Sequence, residues 1–232
     1  MRVSVYEFLD SDSANTRLTA SRRLKTLLGW KLAMALGLNL WALVPYYWLQ
    51  HHPFFPVAIM PTIIADEWIS FNEAAVWLYL SLFLLMPVAP MQMVSPDDTR
   101  RYALGVASMS LLADLVFFLW PTTVLRPNPQ MSNIVYQNLT HLVSPNNACP
   151  SLHAAMAVFS ALCYEQIAPH MRDRQLWRLG LWIWALGIIY ATLATKEHVA
   201  LDAAAGSLLG LIAYLAAFRA KLFAVPMIRK GR

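Results

Sequence analysis

Apolar segments of roughly membrane-crossing length recur along most of the 232-residue chain. A transmembrane helix needs about 20 predominantly apolar residues. Six segments approach or exceed that length, at residues 27–49, 74–90, 102–121, 151–168, 176–195 and 199–218. Only 13% of the residues are charged, which is about half the fraction found in soluble domains. The sequence therefore predicts an all-α polytopic membrane protein with six transmembrane helices.

The same composition excludes several other classes of protein. A hydrophobic fraction of 58% excludes intrinsic disorder, which requires low hydrophobicity. The presence of only two cysteines excludes a scaffold held together by disulfides. The basic residues are spread over separate segments, so the net charge of +5 predicts attraction to anionic lipid and no nucleic-acid binding.

The lysines and arginines are distributed unevenly between the two predicted sides of the bundle. Sixteen of the 18 lie in the terminal segments 1–25 and 219–232, at the start of the first span, or in the loops at 91–101 and 169–178. Cytoplasmic loops carry an excess of basic residues, so both termini are predicted to be cytoplasmic. We divide the chain into a basic tail (1–25), a six-helix transmembrane domain (26–221) and a second basic tail (222–232).

The two remaining basic residues, Arg126 and Lys196, fall on the predicted non-cytoplasmic side. Arg126 closes the third span, and a guanidinium is suited to forked contacts with phosphate oxygens. Pro127 after it keeps the backbone extended. The alternative is an ordinary interfacial arginine at a helix end.

The fourth span opens with Pro150, Ser151, Leu152 and His153 on the same predicted side. Proline is favoured at a helix start, Ser151 can cap the helix, and the first N–H groups of a helix attract anions. His153 is then expected beside any anion bound there. The alternative is an ordinary helix start with a solvated histidine.

His198 and Asp202 are four residues apart at the start of the sixth span. Side chains at this spacing share one face of a helix. The carboxylate can accept a hydrogen bond from one imidazole nitrogen, which leaves the other nitrogen with a directed lone pair. The alternative is a structural pair that ties two helices together.

These three patterns, at the ends of consecutive spans, resemble the type-2 phosphatidic acid phosphatase superfamily over about residues 111–210. The stretch 149–159 looks most like the branch around the inositol phosphorylceramide synthases. The stretch 196–202, Lys-Glu-His-x-x-x-Asp, is similar to the corresponding stretch of the sphingomyelin synthases.

The resemblance implies a role for each motif residue. His198 is the nucleophile, Asp202 orients it, and His153 exchanges a proton with the leaving and entering oxygens. Arg126 and Ser151 hold the phosphoryl oxygens. A phosphohistidine route of this kind requires neither a metal nor a cofactor.

Two departures from the family pattern favour phosphotransfer over simple phosphatase activity. The lipid phosphatases usually carry a lysine where this chain has Leu119, and an arginine where it has Thr192. Lys196 can substitute for one of these cations as a phosphate-binding residue. A dianionic phosphate needs more positive charge than a diester, so we expect transfer from a membrane lipid to a lipid alcohol.

Several alternatives stay open at this level. Water as the acceptor makes the protein a lipid phosphate phosphatase. Two histidines and a carboxylate can form a metal triad in a membrane oxygenase, and Asp114 in the third span can serve as an ion relay in a transporter. The headgroup and the oligomeric state are not defined by the sequence. In each enzymatic case the site faces the non-cytoplasmic side of an integral membrane protein.

Overall fold

The structure is a computed structural model that describes residues 23, 25–127, 132–167 and 174–219. The predicted tails at 1–25 and 222–232 lie almost entirely outside the described residues. The described chain is mostly helical, and its helices are α1 (Leu28–His51), α2 (Ile64–Glu67), α3 (Val76–Leu80), α4 (Leu82–Leu85), α5 (Val88–Gln92), α6 (Pro96–Leu119), α7 (Ile134–Leu142), α8 (Leu152–Ile167), α9 (Arg174–Ala194) and α10 (Ala200–Tyr214). A 3-10 turn, Glu73–Ala75, precedes α3, and a π-helical turn, Leu215–Arg219, continues α10.

Five helical segments of the described chain are long and apolar enough to cross a membrane: Leu28–His51, Glu73–Gln92, Pro96–Leu119, Gln175–Ala194 and Ala200–Arg219. Large hydrophobic side chains such as Leu36, Trp41 and Leu186 are exposed on their outer faces. Exposed apolar surface on this scale is a liability in water and the expected exterior in lipid. The structure therefore supports a mostly helical integral membrane protein.

The second of these segments departs from the single run predicted at 74–90, because it is divided into α3, α4 and α5. Pro87 and Pro90 lack the N–H group that a continuous helix needs. The hydroxyl of Ser81 donates to the carbonyl of Leu78 at 2.6 Å. Trp184 in α9 donates to the same hydroxyl at 2.7 Å, so the break also anchors a neighbouring helix.

The third segment begins earlier than the prediction of 102–121. Ser95 accepts a hydrogen bond from the N–H of Asp98 and so caps α6, with Pro96 at the first helical position. Serine caps and proline at the first position are typical of helix starts. Charged residues of the first turn, which sequence hydropathy excluded from the span, are therefore part of the helix.

The centre of the bundle is α8, which contacts α5, α6, α9 and α10. Its described part has 16 residues, or about 24 Å at 1.5 Å per residue. Alanines 154, 155 and 157 are completely buried, as is Phe159. Small residues on one helix let the neighbouring backbones approach closely.

The closest approach is between α8 and α10, at Gly206 and Gly210. A Cβ atom on Gly206 would lie 2.1 Å from the carbonyl oxygen of Ser151, and one on Gly210 would lie 2.3 Å from that of Ala155. The two glycines form a Gly-x-x-x-Gly pattern, which is typical of tightly packed membrane helices. No residue larger than glycine fits at either position without moving the backbone of α8.

A small layer of extended chain covers the end of the bundle where α8 and α10 begin. Strands β1 (Ala58–Ile59) and β2 (Thr122–Thr123) pair in parallel, with Ala58 opposite Thr122. The loop before α8 joins this layer, because the N–H of Ala148 donates to the carbonyl of Thr122 at 3.2 Å. The layer therefore fixes the position of the backbone at Ala148.

We predict that Gly206→Ala destabilises the protein, because the added methyl group must push α8 away from α10. Overpacking of this kind costs about 1–3 kcal/mol, so the apparent melting temperature in detergent should fall by several degrees. Gly37→Ala is the matched control, since a Cβ atom at Gly37 in α1 meets nothing within 4 Å. Equal melting temperatures for the two variants would contradict the role given to this crossing.

Candidate active site

The first turns of α8 and α10 meet directly at the end of the bundle covered by β1 and β2. The N–H of Ser151 donates to the carbonyl of Asp202 at 3.0 Å. The rings of His153 and His198 lie with their centroids 6.5 Å apart and their planes at 46°. The structure therefore brings the Pro-Ser-Leu-His and His-x-x-x-Asp motifs to one place.

The hydrogen bonding around His198 fixes the state of its ring. Its Nδ1 atom lies 3.0 Å from the carbonyl oxygen of Ala148 and 3.6 Å from Oδ2 of Asp202. Since a carbonyl oxygen can only accept, the closer contact requires the proton on Nδ1. The neutral ring then carries its lone pair on Nε2, which is the form needed to attack an electrophile.

Asp202 is completely buried and makes a second contact besides the one with His198. Its Oδ2 atom accepts from the N–H of Val199 at 3.0 Å, which caps the first turn of α10. The ring of His198 is oriented by the hydrogen bond that its Nδ1 donates to the carbonyl of Ala148, and the carboxylate of Asp202 lies slightly farther from Nδ1. Sequence reasoning did not find Ala148, because a backbone carbonyl leaves no signal in residue type.

His153 is held by an aromatic neighbour. Its ring stacks on Tyr79 with centroids 3.9 Å apart and planes at 16°. Phe83 lies nearly perpendicular to the same ring, with the two ring centroids 6.4 Å apart. The Nε2 atom of His153 is buried and has no hydrogen-bond partner among the described residues. Stacking therefore sets the plane of the ring while Nε2 stays available.

Ser151 is buried and caps α8. Its hydroxyl oxygen accepts from the N–H of Ala154 at 3.3 Å, and its own N–H is used by Asp202. A hydroxyl group that accepts one hydrogen bond still has its own hydrogen to donate. Ser151 can therefore contact a phosphoryl oxygen through its hydroxyl, whereas its backbone N–H is already engaged.

Arg126 forms an ion pair with Glu197, a residue that the sequence analysis did not select. One terminal nitrogen of the guanidinium pairs with Oε2 of Glu197, and the other donates to the carbonyl of Val143 at 2.8 Å. Burial raises the pKa of Glu197 above its ordinary value, and Arg126 opposes that rise. The signal that could have found Glu197 is a carboxylate directly beside a candidate nucleophile.

Lys196 points to backbone carbonyls in the segment around α2. Its ammonium group donates to the carbonyls of Asp66 at 3.0 Å and Ile69 at 2.6 Å. The carboxylate of Asp66 in turn accepts from the N–H of Ala200 at 2.7 Å. Lys196 and Asp66 thus hold the segment around α2 against the start of α10, close to the motifs but engaged with protein groups.

Several buried polar atoms around the motifs have no hydrogen-bond partner among the described residues. They are Nε2 of His153, Nε of Arg126, Oε1 of Glu197, Oδ1 of Asp202 and Oδ1 of Asn147. Buried polar groups in native proteins are normally paired, so a local concentration of unpaired ones indicates a place for a ligand or water. The motif residues therefore leave several polar groups free to bind a ligand or water.

An apolar cavity of about 250 Å³ begins at His153 and follows α1 toward the other end of the bundle. Its lining includes Leu38, Tyr46, Val106 and Met156, and Lys31 lies at the far end. Lys31 and Tyr46 are 15 positions apart on α1, or about 22 Å along a helix. The cavity therefore joins the site to the apolar interior of the membrane domain.

Cys149 lies beside the site but does not provide a ready nucleophile. It is buried, unbonded to another cysteine, and its N–H donates to the hydroxyl of Thr122 at 2.8 Å. Burial and the nearby Asp202 raise the pKa of its thiol to about 11. The thiol is therefore protonated at neutral pH, and protonated thiols are poor nucleophiles.

Among the described residues, no group of three or more histidine, cysteine, aspartate or glutamate side chains is arranged to hold a metal ion. Asp114, the candidate relay residue, is buried in α6, and its Oδ1 atom has no hydrogen-bond partner in the described part of the chain.

Comparison with known proteins gives one match. The model of the PAP2 superfamily matches residues 101–225, which is more than half of the chain and includes all three motifs. No curated protein and no solved structure matches the chain.

Proposed function

Because this chain belongs to the PAP2 superfamily, whose members are phosphatases or phosphotransferases, we propose that it is a lipid phosphotransferase. It moves a phosphoryl group or a phospho-headgroup from a membrane lipid to a lipid alcohol. The observation that carries this proposal is the convergence of His198 and His153. The contact with Ala148 leaves the lone pair of one ring on Nε2, and the other ring has a buried Nε2 atom with no hydrogen-bond partner in the described part of the chain.

In the first half-reaction, Nε2 of His198 attacks phosphorus and forms a P–N bond. The P–O bond to the leaving alcohol breaks, and that oxygen takes a proton from protonated His153. The imidazole of His198 gains positive charge as it attacks. The carbonyl of Ala148 and the carboxylate of Asp202, both beside Nδ1, stabilise that charge.

In the second half-reaction, the acceptor alcohol gives its proton to His153 and attacks the phosphorus of the phosphohistidine. The P–N bond breaks, and His198 returns to its neutral form. Splitting one displacement into two steps is the general advantage of covalent catalysis. Neither step uses a metal ion, since His153 supplies the proton and Ser151 and Arg126 supply hydrogen bonds to the phosphoryl oxygens.

The apolar cavity beside His153 supports a lipid substrate. The oxygen that exchanges a proton with His153 must lie at the mouth of the cavity, and the apolar part of the same molecule then fits between α1 and α8. Apolar pockets with a few polar groups at one end are typical ligand sites. Because the donor leaves before the acceptor reacts, one cavity can serve both lipids in turn.

The low positive charge of the site supports a lipid alcohol over water as the final acceptor. Leu119 and Thr192 stand where the related phosphatases carry cations, and the ammonium of Lys196 is engaged by backbone carbonyls. The N–H of His198 donates to the carbonyl of Thr192 at 3.2 Å, so a cation there would lie close to the nucleophile. A diester needs less positive charge than a monoester.

We also propose six membrane spans, with both termini cytoplasmic and the site on the non-cytoplasmic side. Helix α8 begins at the site, and α9 ends beside it, since the carbonyl of Thr192 near the end of α9 accepts from the N–H of His198 at 3.2 Å. This arrangement supports α8 as a further span, in addition to the five long apolar segments. The uneven distribution of lysines and arginines supplies the orientation.

Cysteine labelling from outside intact cells or sealed vesicles tests this orientation. A single cysteine at position 133, before α7, should react with a membrane-impermeant maleimide. A single cysteine at position 173, between α8 and α9, should react only after the membrane is opened. Labelling of position 173 but not 133 from outside would reverse the proposed sidedness.

The acceptor is tested by incubating the purified protein with a labelled phospholipid, with and without ceramide or diacylglycerol. We expect a new labelled lipid only when the lipid alcohol is present, and the same product in EDTA. Release of a water-soluble phosphate product at an equal rate in both mixtures would favour the phosphatase alternative. Loss of activity in EDTA, restored by a divalent ion, would favour a metal-dependent reaction.

Substrates with different leaving groups distinguish the roles of the two histidines. His198→Ala should abolish turnover of every substrate, since no P–N bond can form. His153→Ala should be nearly inactive on lipid but recover in part on a p-nitrophenyl phosphodiester, because nitrophenolate leaves without a proton. His141→Ala, an exposed histidine of α7, is the control and should retain full activity. Wild-type turnover of lipid by folded His198→Ala protein would refute the mechanism.

A further inference from the structure

The carboxylate of Glu197 forms an ion pair with the guanidinium of Arg126, which is expected to bind phosphate. The side chains of Arg126 and Glu197 are only 12% and 3% exposed. Charges buried to this extent interact more strongly than charges on the surface. Glu197 directly precedes His198 in the chain, and its carboxylate lies within electrostatic range of that ring. We therefore expect a phosphoryl group bound at His198 to experience the charge of Glu197.

The ion pair leaves Arg126 only part of its capacity to bind an anion. One terminal nitrogen is used by Glu197, and the other donates to Val143. The Nε atom is buried and has no partner among the described residues. A guanidinium has five N–H donors, and one donor on each terminal nitrogen is already used here, so Arg126 keeps three of them, including the buried Nε–H, for an anion.

The surrounding charges do not compensate for Glu197. Lys196 donates to the carbonyls of Asp66 and Ile69, so its ammonium group is already engaged. Asp202 adds a second carboxylate, completely buried beside His198. The two carboxylates nearest the candidate nucleophile are therefore accompanied by two basic side chains, both of which already bond to protein groups.

We propose that Glu197 is a specificity-determining residue that selects phosphodiester lipids, which carry one negative charge, over phosphomonoester lipids, which carry two. This inference rests on the proposed function and names its substrate class. A diester presents one charged oxygen pair, which the remaining N–H donors of Arg126 and the hydroxyl of Ser151 can satisfy. The second charge of a monoester would lie close to Glu197, and like charges in a poorly solvated site repel strongly.

The test compares two lipids with the same diacylglycerol part: phosphatidic acid, a monoester, and phosphatidylethanol, a diester without a charged headgroup. Release of labelled diacylglycerol is measured at pH 8, where most of the monoester is dianionic, with the full-length protein in mixed micelles that also contain ceramide as the acceptor alcohol. The wild type should have the higher kcat/KM on the diester. Glu197→Gln should raise the ratio of monoester to diester kcat/KM by about 10- to 100-fold, the range expected for removing one nearby charge.

Glutamine keeps a carbonyl oxygen that can accept from Arg126, so the geometry is retained while the charge is lost. Glu67→Gln removes a carboxylate from an exposed position in α2 at the same end of the bundle, and it should leave the ratio unchanged. A wild-type preference for phosphatidic acid would overturn the inference even if Glu197→Gln does not fold. An unchanged ratio in folded Glu197→Gln would also overturn it. Turnover of neither lipid by the wild type would reject the proposed function itself, and the inference with it.

Discussion

The crossing of α8 and α10 at Gly206 and Gly210 determines where the candidate reacting groups lie. Because neither position tolerates a Cβ atom, the backbones come close enough for the N–H of Ser151 to bond the carbonyl of Asp202. This contact joins the first turns of two helices, and each first turn carries or adjoins one histidine of the site. A larger separation between these helices would increase the distance between the two rings, and proton transfer at a shared phosphoryl group depends on that distance.

A second constraint is that charges at the edge of the membrane must be paired. The structure meets it in two ways, by joining Arg126 to Glu197 and by directing Lys196 to backbone carbonyls. Both solutions reduce the positive charge available to a substrate. The same contacts that stabilise this end of the bundle therefore agree with the proposed preference for a weakly charged phosphate group. In this way the packing of the loops connects the stability of the site to its proposed choice of substrate.

The helical membrane fold could be predicted from the sequence, since helix length and apolar composition are local properties. The hydropathy pattern did not predict that the second apolar segment would be divided at Ser81, Pro87 and Pro90, because hydropathy does not take account of missing N–H groups. The spacing of His198 and Asp202 predicted their proximity, but not the carbonyl of Ala148 that lies closer to the ring. Arg126 and Glu197 are 71 positions apart, and their pairing depends on loop conformations that residue types alone do not specify.

Stereochemistry at phosphorus tests most directly whether the phosphoryl group passes through a covalent bond to His198. A phosphodiester lipid made chiral at phosphorus with sulfur and oxygen isotopes is converted by the enzyme in the presence of a lipid alcohol. The configuration of the product is then determined by phosphorus NMR. Formation and cleavage of the P–N bond at His198 are two successive in-line displacements, and each inverts the configuration at phosphorus, so we expect net retention. Net inversion would mean a single direct displacement and would contradict the phosphohistidine route.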